Sequence, residues 1–455
     1  MDHKFDKTIL GSIVPIVAAP RIPMHRFIAF GIALLLAACA GSPKHSADDS
    51  SRIVPGPPAA ALDYTVPSSA GPDELARLAI QHNPSIRAAR ERAARLAAMV
   101  AQEGAMPDPM LKVGAERMSS ADVNGMVEIG QTFPFPGKRR AAARAAEQEA
   151  AAAKADIRAL ELRLIEQVHA AWWDLQLAGE TVKLTRESRE LLEAVRDVVD
   201  ARAAADQARQ ADQIRLSNEL SMIDRDLAEA VQLGATARAR LNSLLNRPSG
   251  ASLPATTGVT IPSTATLESL LARAQSQHPE VAAAERRAEA FQHRLRRAEL
   301  EQYPDFTVGI GGMTALGSTS TAMGRENEEI LATIGINIPL WQEPRRAMIR
   351  EAKAGIAETD AMVAATRSDL RYRIEEAWFS VRTERDIATL FETRLIPDAR
   401  QAYEVTRTGY SAGTSEFNDV LDTWRLLLTY QLQHARSRAQ LGKATATLRA
   451  AAGVQ

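Results

Sequence analysis

Four short stretches of this chain alternate strictly between apolar and polar residues, and very long stretches between them repeat with helical spacing. In 110–118, Leu111, Val113 and Ala115 oppose Lys112, Gly114 and Glu116. In 126–133, Val127, Ile129 and Phe133 oppose Glu128, Gly130 and Thr132. In 306–313, Phe306, Val308 and Ile310 oppose Thr307, Gly309 and Gly311. In 330–338, Ile330, Ala332, Ile334, Ile336 and Ile338 oppose Thr333, Gly335 and Asn337. A period of two predicts strands with one apolar face and one polar, glycine-rich face. An ordinary sheet packed on helices would carry this pattern. So would strands of about 9 residues crossing a bilayer, with apolar side chains on lipid. Four strands cannot close a barrel, for which about eight is the minimum. Lipid tolerates no open sheet edge, so strands that enter a membrane here would have to be pooled from several chains.

The helical stretches are long. Residues 138–203 are rich in Ala, Leu, Glu and Arg and contain no proline. As one helix they would span about 100 Å at ~1.5 Å per residue. Leu164, Ile165, Val168, Trp172 and Leu175 keep helical spacing along it, and a return helix is expected over about 214–245. The arrangement recurs as a long helix over about 345–407 and a return helix over about 418–450. Leu421, Trp424, Leu428, Leu432, Ala435 and Ala439 form a coiled-coil seam in the latter. Pro397 has no counterpart in the first long helix, where Leu191 stands, and predicts a kink or break. Two further helical stretches, 73–105 and 267–302, are each split by a proline, Pro84 and Pro279. Asp73 and Thr266 are the N-caps expected for them.

These elements occur twice in the same order. Asn83-Pro84 corresponds to His278-Pro279, Pro107-Asp108 to Pro304-Asp305, Phe133-Pro134 to Ile338-Pro339, and Trp172-Trp173 to Trp378-Phe379. The spacing between partners grows from 195 residues at Pro84/Pro279 to 206 at Trp172/Trp378. Most of that growth falls between the strands, where a longer loop in the second half would absorb it. The expected organisation is a first repeat over 73–246, a linker over 247–266 rich in Pro and Gly, and a second repeat over 267–455.

Composition adds an address. A net charge of −1 without a long basic run gives no electrostatic case for nucleic acid. Met24-His25-Arg26 precedes an apolar run over 27–37 and then Ala37-Ala38-Cys39-Ala40-Gly41. That is a secretory signal with cysteine at the cut site, similar to a bacterial lipobox, so Cys39 is the expected lipidation residue. Residues 1–38 are then signal, with 1–23 preceding the better start at Met24. Residues 39–72, rich in Pro, Ser and Ala, are an extended tether. No other window holds 18 or more apolar residues, so no transmembrane helix is expected after the signal. No nucleophile–base set, phosphate loop or metal-ligand spacing is present, so neither catalysis nor a cofactor is expected.

The candidate functional stretch is Tyr410–Asp422, between the second long helix and its return. Gly413 can take the left-handed conformation that a reversal needs. Asp419 and Asp422 follow on one helical face. On residues alone this acid pair is a capped, solvated helix start, where acids are favoured by the helix dipole. Its counterpart in the first repeat, 204–216, has Gln207, Gln213 and Leu216 where Gly413, Asp419 and Asp422 stand. Met99, Met106, Met110, Met118, Met126, Met313 and Met323 gather around the strands. Methionine can pass soft ions but more commonly fills apolar space. His169, His293 and His434 show no ligand spacing, and the tryptophans are expected to pack the helical wall. Lys138-Arg139-Arg140 and Arg345-Arg346 follow the strand exits; they could meet lipid phosphates or simply start solvated helices.

The duplicated order, the Gln131-Thr132-Phe133-Pro134-Phe135-Pro136-Gly137-Lys138 exit and the Tyr410-x-x-Gly413-Thr414 segment followed by Asp419-Val420-Leu421-Asp422 resemble the TolC family of outer-membrane efflux proteins. The resemblance implies a mainly α fold with a transmembrane β-barrel part. Long antiparallel hairpins form a periplasmic α-barrel, and four strands per chain complete a 12-stranded barrel in a homotrimer. It implies a passive exit duct in the outer membrane, working with a periplasmic adaptor and an inner-membrane pump of RND type. Residues around Met106-Pro107-Asp108-Pro109-Met110 are similar to those of lipoprotein members in the heavy-metal, CusC/CzcC-like branch, which implies metal-cation export. A drug duct or, further off, a lipid-anchored coiled-coil adaptor are the alternatives. Carried over residue by residue, Asp419 and Asp422 match aspartates of the periplasmic gate and Tyr410 a tyrosine that holds it shut. Ala412, Gly413 and Thr414 fall at the tip where an adaptor docks. Ser415 departs from the pattern, since a basic residue can stand there. Arg407 and Arg425 are the available substitutes.

Overall fold

A computed structural model describes residues 62, 64–117, 123–204, 209–254, 266–316 and 329–454. Cys39, Met118, Gln207 and Met323 lie outside these residues. The described elements run α1 (Pro72–His82), α2 (Pro84–Gly104), β1 (Met110–Arg117), β2 (Val123–Phe133), α3 (Lys138–Ala204), α4 (Gln210–Leu244), α5 (Leu267–Gln277), α6 (Pro279–Leu300), β3 (Phe306–Leu316), β4 (Glu329–Ile336), α7 (Gln342–Leu390), α8 (Ile396–Ala412) and α9 (Phe417–Ala451). One order of elements is thus used twice. The chain divides into two compact units, one built on Pro109–Gly130 with Val308–Thr333 and the other on the helices.

The strands form one antiparallel sheet in the order β1-β2-β3-β4. Val113 is 73% and Ile334 84% exposed, and Leu111, Val127, Ile129, Val308, Ile310, Ile330 and Ile336 are exposed with them. This is the apolar phase of the sequence pattern, presented on one face. The opposite face is close-packed around Glu128, which is 7% exposed. Its carboxylate accepts from Thr333 Oγ1 at 2.7 Å and lies 4.0 Å from Lys112 Nζ. The side chain crosses β3 where Gly309 and Gly311 stand. A Cβ on Gly309 would strike the Glu128 carboxylate, and one on Gly311 would come within 3.0 Å of the Glu128 Cα. The glycines of this face are therefore the room that Glu128 occupies.

In the helical unit α4 packs on α3, α3 on α9 and α9 on α7. The 67 residues of α3 form one uninterrupted helix. The equivalent run in the second repeat is broken by a π turn at Phe391–Leu395, directly before Pro397. Proline has no N–H to donate and its ring would collide with the Thr393 carbonyl, so the helix takes in an extra residue there. Ile396 N–H bonds Phe391 O accordingly.

The short helices cover the long ones with matching side chains. Leu75, Ala79 and Ile86 pack on Leu164, Val168 and Trp172; Leu270, Ala274 and Val281 pack on Leu370, Ile374 and Ala377. Trp173 is buried against α9, where a Cβ on Gly442 would fall inside its indole ring. Its counterpart Phe379 is exposed. Asp73 is not the α1 cap: Gly71 is, with Pro72 at N1, because proline's missing N–H is free there. Asp73 lies instead 3.1 Å from His169 Nε2 and 3.7 Å from Arg449. Thr266 holds the cap position of α5, although its side chain bonds Ser269 Oγ rather than the helix backbone.

Lys138 overturns both expectations, a lipid contact and a solvated helix start. It is 6% exposed, with Nζ 2.9 Å from Asp305 Oδ1, 3.1 Å from Glu301 Oε2 and 3.1 Å from the Tyr303 carbonyl. Asp305 Oδ1 also accepts from Phe135 N at 2.7 Å, and Phe135 stacks on Tyr303 at 4.5 Å. A buried ammonium needs such partners, because leaving it unpaired is costly. Arg139 donates to Gly104 O, and Arg345 to Glu301 O and Trp341 O. Arg140 and Arg346 stay exposed.

The two proline junctions are chemical counterparts. Asn83 Oδ1 accepts from Ser85 N at 2.8 Å and Nδ2 donates to Leu244 O at 2.9 Å. His278 Nδ1 accepts from Glu280 N at 3.3 Å, and Nε2 faces Ala450 O at 3.2 Å. A carbonyl only accepts, so Nε2 carries the hydrogen and the ring is neutral. Burial lowers the His278 pKa, with Arg373 and Arg163 adding to it against the Ala450 bond and Glu280. A group with a lowered folded pKa adds stability that is fully present above its unfolded pKa, about 6.5 for histidine, and lost as pH falls through the folded value. The His278→Asn variant, which copies the first repeat, should therefore lose less thermal stability than the parent between pH 8 and pH 5. An identical loss in both would contradict this role.

Candidate functional site: the hairpin tip

The reversal at the end of α8 is built by backbone geometry. Gly413 has φ 79° and ψ 14°, the left-handed region. Its N–H bonds Tyr410 O at 3.1 Å, and Thr414 N–H bonds Gly409 O at 2.8 Å. This is the two-bond Schellman closure, which a side chain at residue 413 would strain. Gly409 is needed too, since a Cβ there would meet Ser415 Oγ. Ser411, Ala412, Gly413 and Thr414 are exposed.

The next helix opens with a reciprocal cap. Glu416 is the N-cap of α9; its side chain accepts from the Asp419 backbone, and Asp419 Oδ2 accepts from Glu416 N at 3.1 Å. Asp419 is thus a capping-box residue, as its place in the first turn suggested. Asp422, one turn on, has its side chain 73% exposed and lies 3.4 Å from Arg425.

Behind the tip is an apolar cluster drawn from both hairpins. Leu192, Val195 and Val199 of α3 and Leu216 and Ile223 of α4 meet Tyr403 and Tyr410 of α8 and Phe417, Val420, Leu421 and Trp424 of α9. Trp424 Nε1 donates to Ser188 O at 3.1 Å. The Tyr410 ring is buried beside Phe417, at 5.7 Å. Burial raises its pKa, Asp212 raises it further and Arg202 opposes them, so the phenol is neutral at ordinary pH.

Three polar ties join the hairpins around this cluster. The Arg202 guanidinium lies 4.5 Å over the Tyr410 ring and also donates to the Tyr410 carbonyl. Arg215 Nη1 donates to Asn418 Oδ1 at 2.8 Å. Arg425 pairs with Glu219. Arg407, proposed from sequence as a substitute latch, instead pairs with Glu404 on its own helix at 2.8 Å. Arg202 was not legible as a partner of Tyr410. A basic residue in the last turn of a helix is ordinary dipole pairing, and 208 residues separate the two. Among the described residues of the opposing turn, Gln213 bonds Asp200 at 3.1 Å, and Leu216 is buried.

Residues 270–454 match the model of the outer membrane efflux protein family. The match spans the second repeat. It is 26% identical over 360 residues to the cobalt-zinc-cadmium resistance protein CzcC of Cupriavidus metallidurans, covering 77% of this chain and 82% of the relative. Its fold is that of CusC, at a TM-score of 0.73 and 17% identity over 87% of this chain and 99% of CusC. It is equally that of VceC from Vibrio cholerae, at a TM-score of 0.72 and 19% identity over 84% and 96%. The solved structures that share this fold include the outer-membrane channel OprN.

The tip geometry has a direct consequence. Replacing Arg202 with Ala should speed backbone amide exchange over residues 409–417, while Arg407→Ala should leave it unchanged. Equal behaviour of the two variants would remove Arg202 from the clamp.

Proposed function

We propose that three copies of this chain form the exit duct of a tripartite efflux system, which conducts heavy-metal cations passively across the outer membrane. The observation that carries this is the sheet: an apolar face exposed along all four strands, with β1 and β4 as open edges. Lipid would satisfy the face, and neighbouring copies would satisfy the edges. The helices support the same assembly. In the row α4, α3, α9, α7, the ends α4 and α7 carry exposed Met222, Val231 and Leu233 and exposed Met362, Tyr372 and Phe379. Phe379 lacks the cover that its counterpart Trp173 receives within the chain, and an adjoining copy would supply it.

Metal cations are favoured because of the likeness to a cobalt-zinc-cadmium resistance protein. Energy would come from an inner-membrane pump of RND type, and Ala412, Gly413 and Thr414 at the exposed tip would meet the periplasmic adaptor. Cys39 would carry lipid as a second hold on the membrane; a Cys39→Ser variant should lose palmitate labelling, and retained labelling would refute the anchor.

Asp419, Asp422 and Tyr410 would form the periplasmic gate. Three chains would gather six carboxylates in a narrow aperture, which favours cations and leaves the acids repelling one another. The clamp around Tyr410 would hold the second hairpin closed against the first. In planar bilayers, the purified trimer should conduct, and a double Asp419→Asn, Asp422→Asn variant should weaken block by divalent cations several-fold. Asparagine can still accept the Glu416 N–H, so the cap survives while the charge goes. A soluble monomer after lipid removal would overturn the duct, and unchanged block would overturn the gate.

A further inference from the structure

Methionine in the strands does not follow the apolar phase. β1 pairs with β2 so that Met110 faces Gly130, Lys112 faces Glu128 and Gly114 faces Met126. Leu111 and Val113 face Ile129 and Val127 in the alternate positions, on the exposed apolar side. Met110 and Met126 therefore share the polar face with Lys112 and Glu128.

The next strand continues the arrangement. The hydroxyls of Thr132 and Thr307 are 3.0 Å apart, and the Cα of Glu128 is 3.0 Å from the Cβ position of Gly311. Carrying this antiparallel register on by two residues sets Met126 opposite Met313. Directly opposed residues have Cβ atoms about 5 Å apart, so both thioethers can reach one ion. Both side chains are half-buried. Among the described strand residues there is no histidine or cysteine, so methionine sulfurs are the soft donors of the face, with Met110 four residues along β1 from the position opposite Met126.

We infer that Met126 and Met313 form a contact site for a soft monovalent cation, Cu(I) or Ag(I), on the polar face of the sheet. This rests on the metal-duct reading and adds a soft monovalent cation to the cargo that the likeness to a cobalt-zinc-cadmium resistance protein suggests. Thioether sulfur selects soft ions, whereas zinc and cobalt prefer imidazole, thiolate or carboxylate. Two neutral sulfurs hold an ion loosely, as a path that must also release it requires. Glu128 stands two residues away with its carboxylate already engaged by Thr333 and Lys112. It shapes the face and is not assigned as a ligand.

The test uses the purified full-length protein in detergent with silver nitrate as the probe. Mild peroxide oxidation followed by mass spectrometry should show Met126 and Met313 protected several-fold by Ag(I) and not by Zn(II). Met222 and Met362, exposed on the helices, should be unaffected. Calorimetry should show loss of about one silver ion per chain in a Met126→Leu, Met313→Leu double variant, and this decides the matter if the two methionines resist peroxide even without silver. Equal silver binding by parent and double variant overturns the site. A separate arm measures cation sensitivity of cells lacking the chain. If sensitivity to every cation is unchanged, the duct reading fails whatever silver does. If cells need the chain for cation resistance but the double variant binds silver like the parent, only the methionine site fails.

Discussion

A buried lysine ties the start of α3 to the segment between α6 and β3. Lys138 begins α3, while Glu301, Tyr303 and Asp305 link α6 to β3, so its contacts bind the two repeats to each other. Asp305 engages Lys138, the Phe135 amide and, through its own backbone, Asn337 beyond β4. Truncating either member of such a buried pair would leave the other charge unpaired, typically at a cost of about 3–5 kcal/mol. Exposed ion pairs elsewhere on the helices contribute far less, since water screens them.

Duplication has been kept where packing demands it and abandoned elsewhere. The core residues of the two repeats pair off, and even the Asn83 and His278 junctions make equivalent bonds with different chemistry. The departures are informative. The first long helix is unbroken while the second contains a π turn, and Trp173 is covered while Phe379 is exposed. At the tips, the second hairpin has the left-handed glycine and the capping box.

At the tip, structural and electrostatic roles fall on the same acid. Asp419 closes a capping box whatever else it does, so substitution to alanine would confuse loss of charge with fraying of α9. Asp422 makes no cap and is largely exposed, which leaves its charge free of that duty. The apolar cluster beneath supplies cohesion, and the Arg202, Arg215 and Glu219 ties join the two hairpins around it.

Sequence by itself determined what depends on neighbouring residues. Period-two alternation specified four strands and their faces, helical spacing specified the long hairpins, Pro397 marked the break, and Gly413 marked the reversal. Each follows from sterics or hydrogen bonding within a few residues. What lies across the fold was decided only by tertiary structure. A basic start to α3 gave no sign that Lys138 would be buried, because its partners lie over 160 residues on. Arg202 found Tyr410 only through the packing of one hairpin on the other. The methionines scattered in sequence came to one face because pairing register, which single strands do not contain, aligned them.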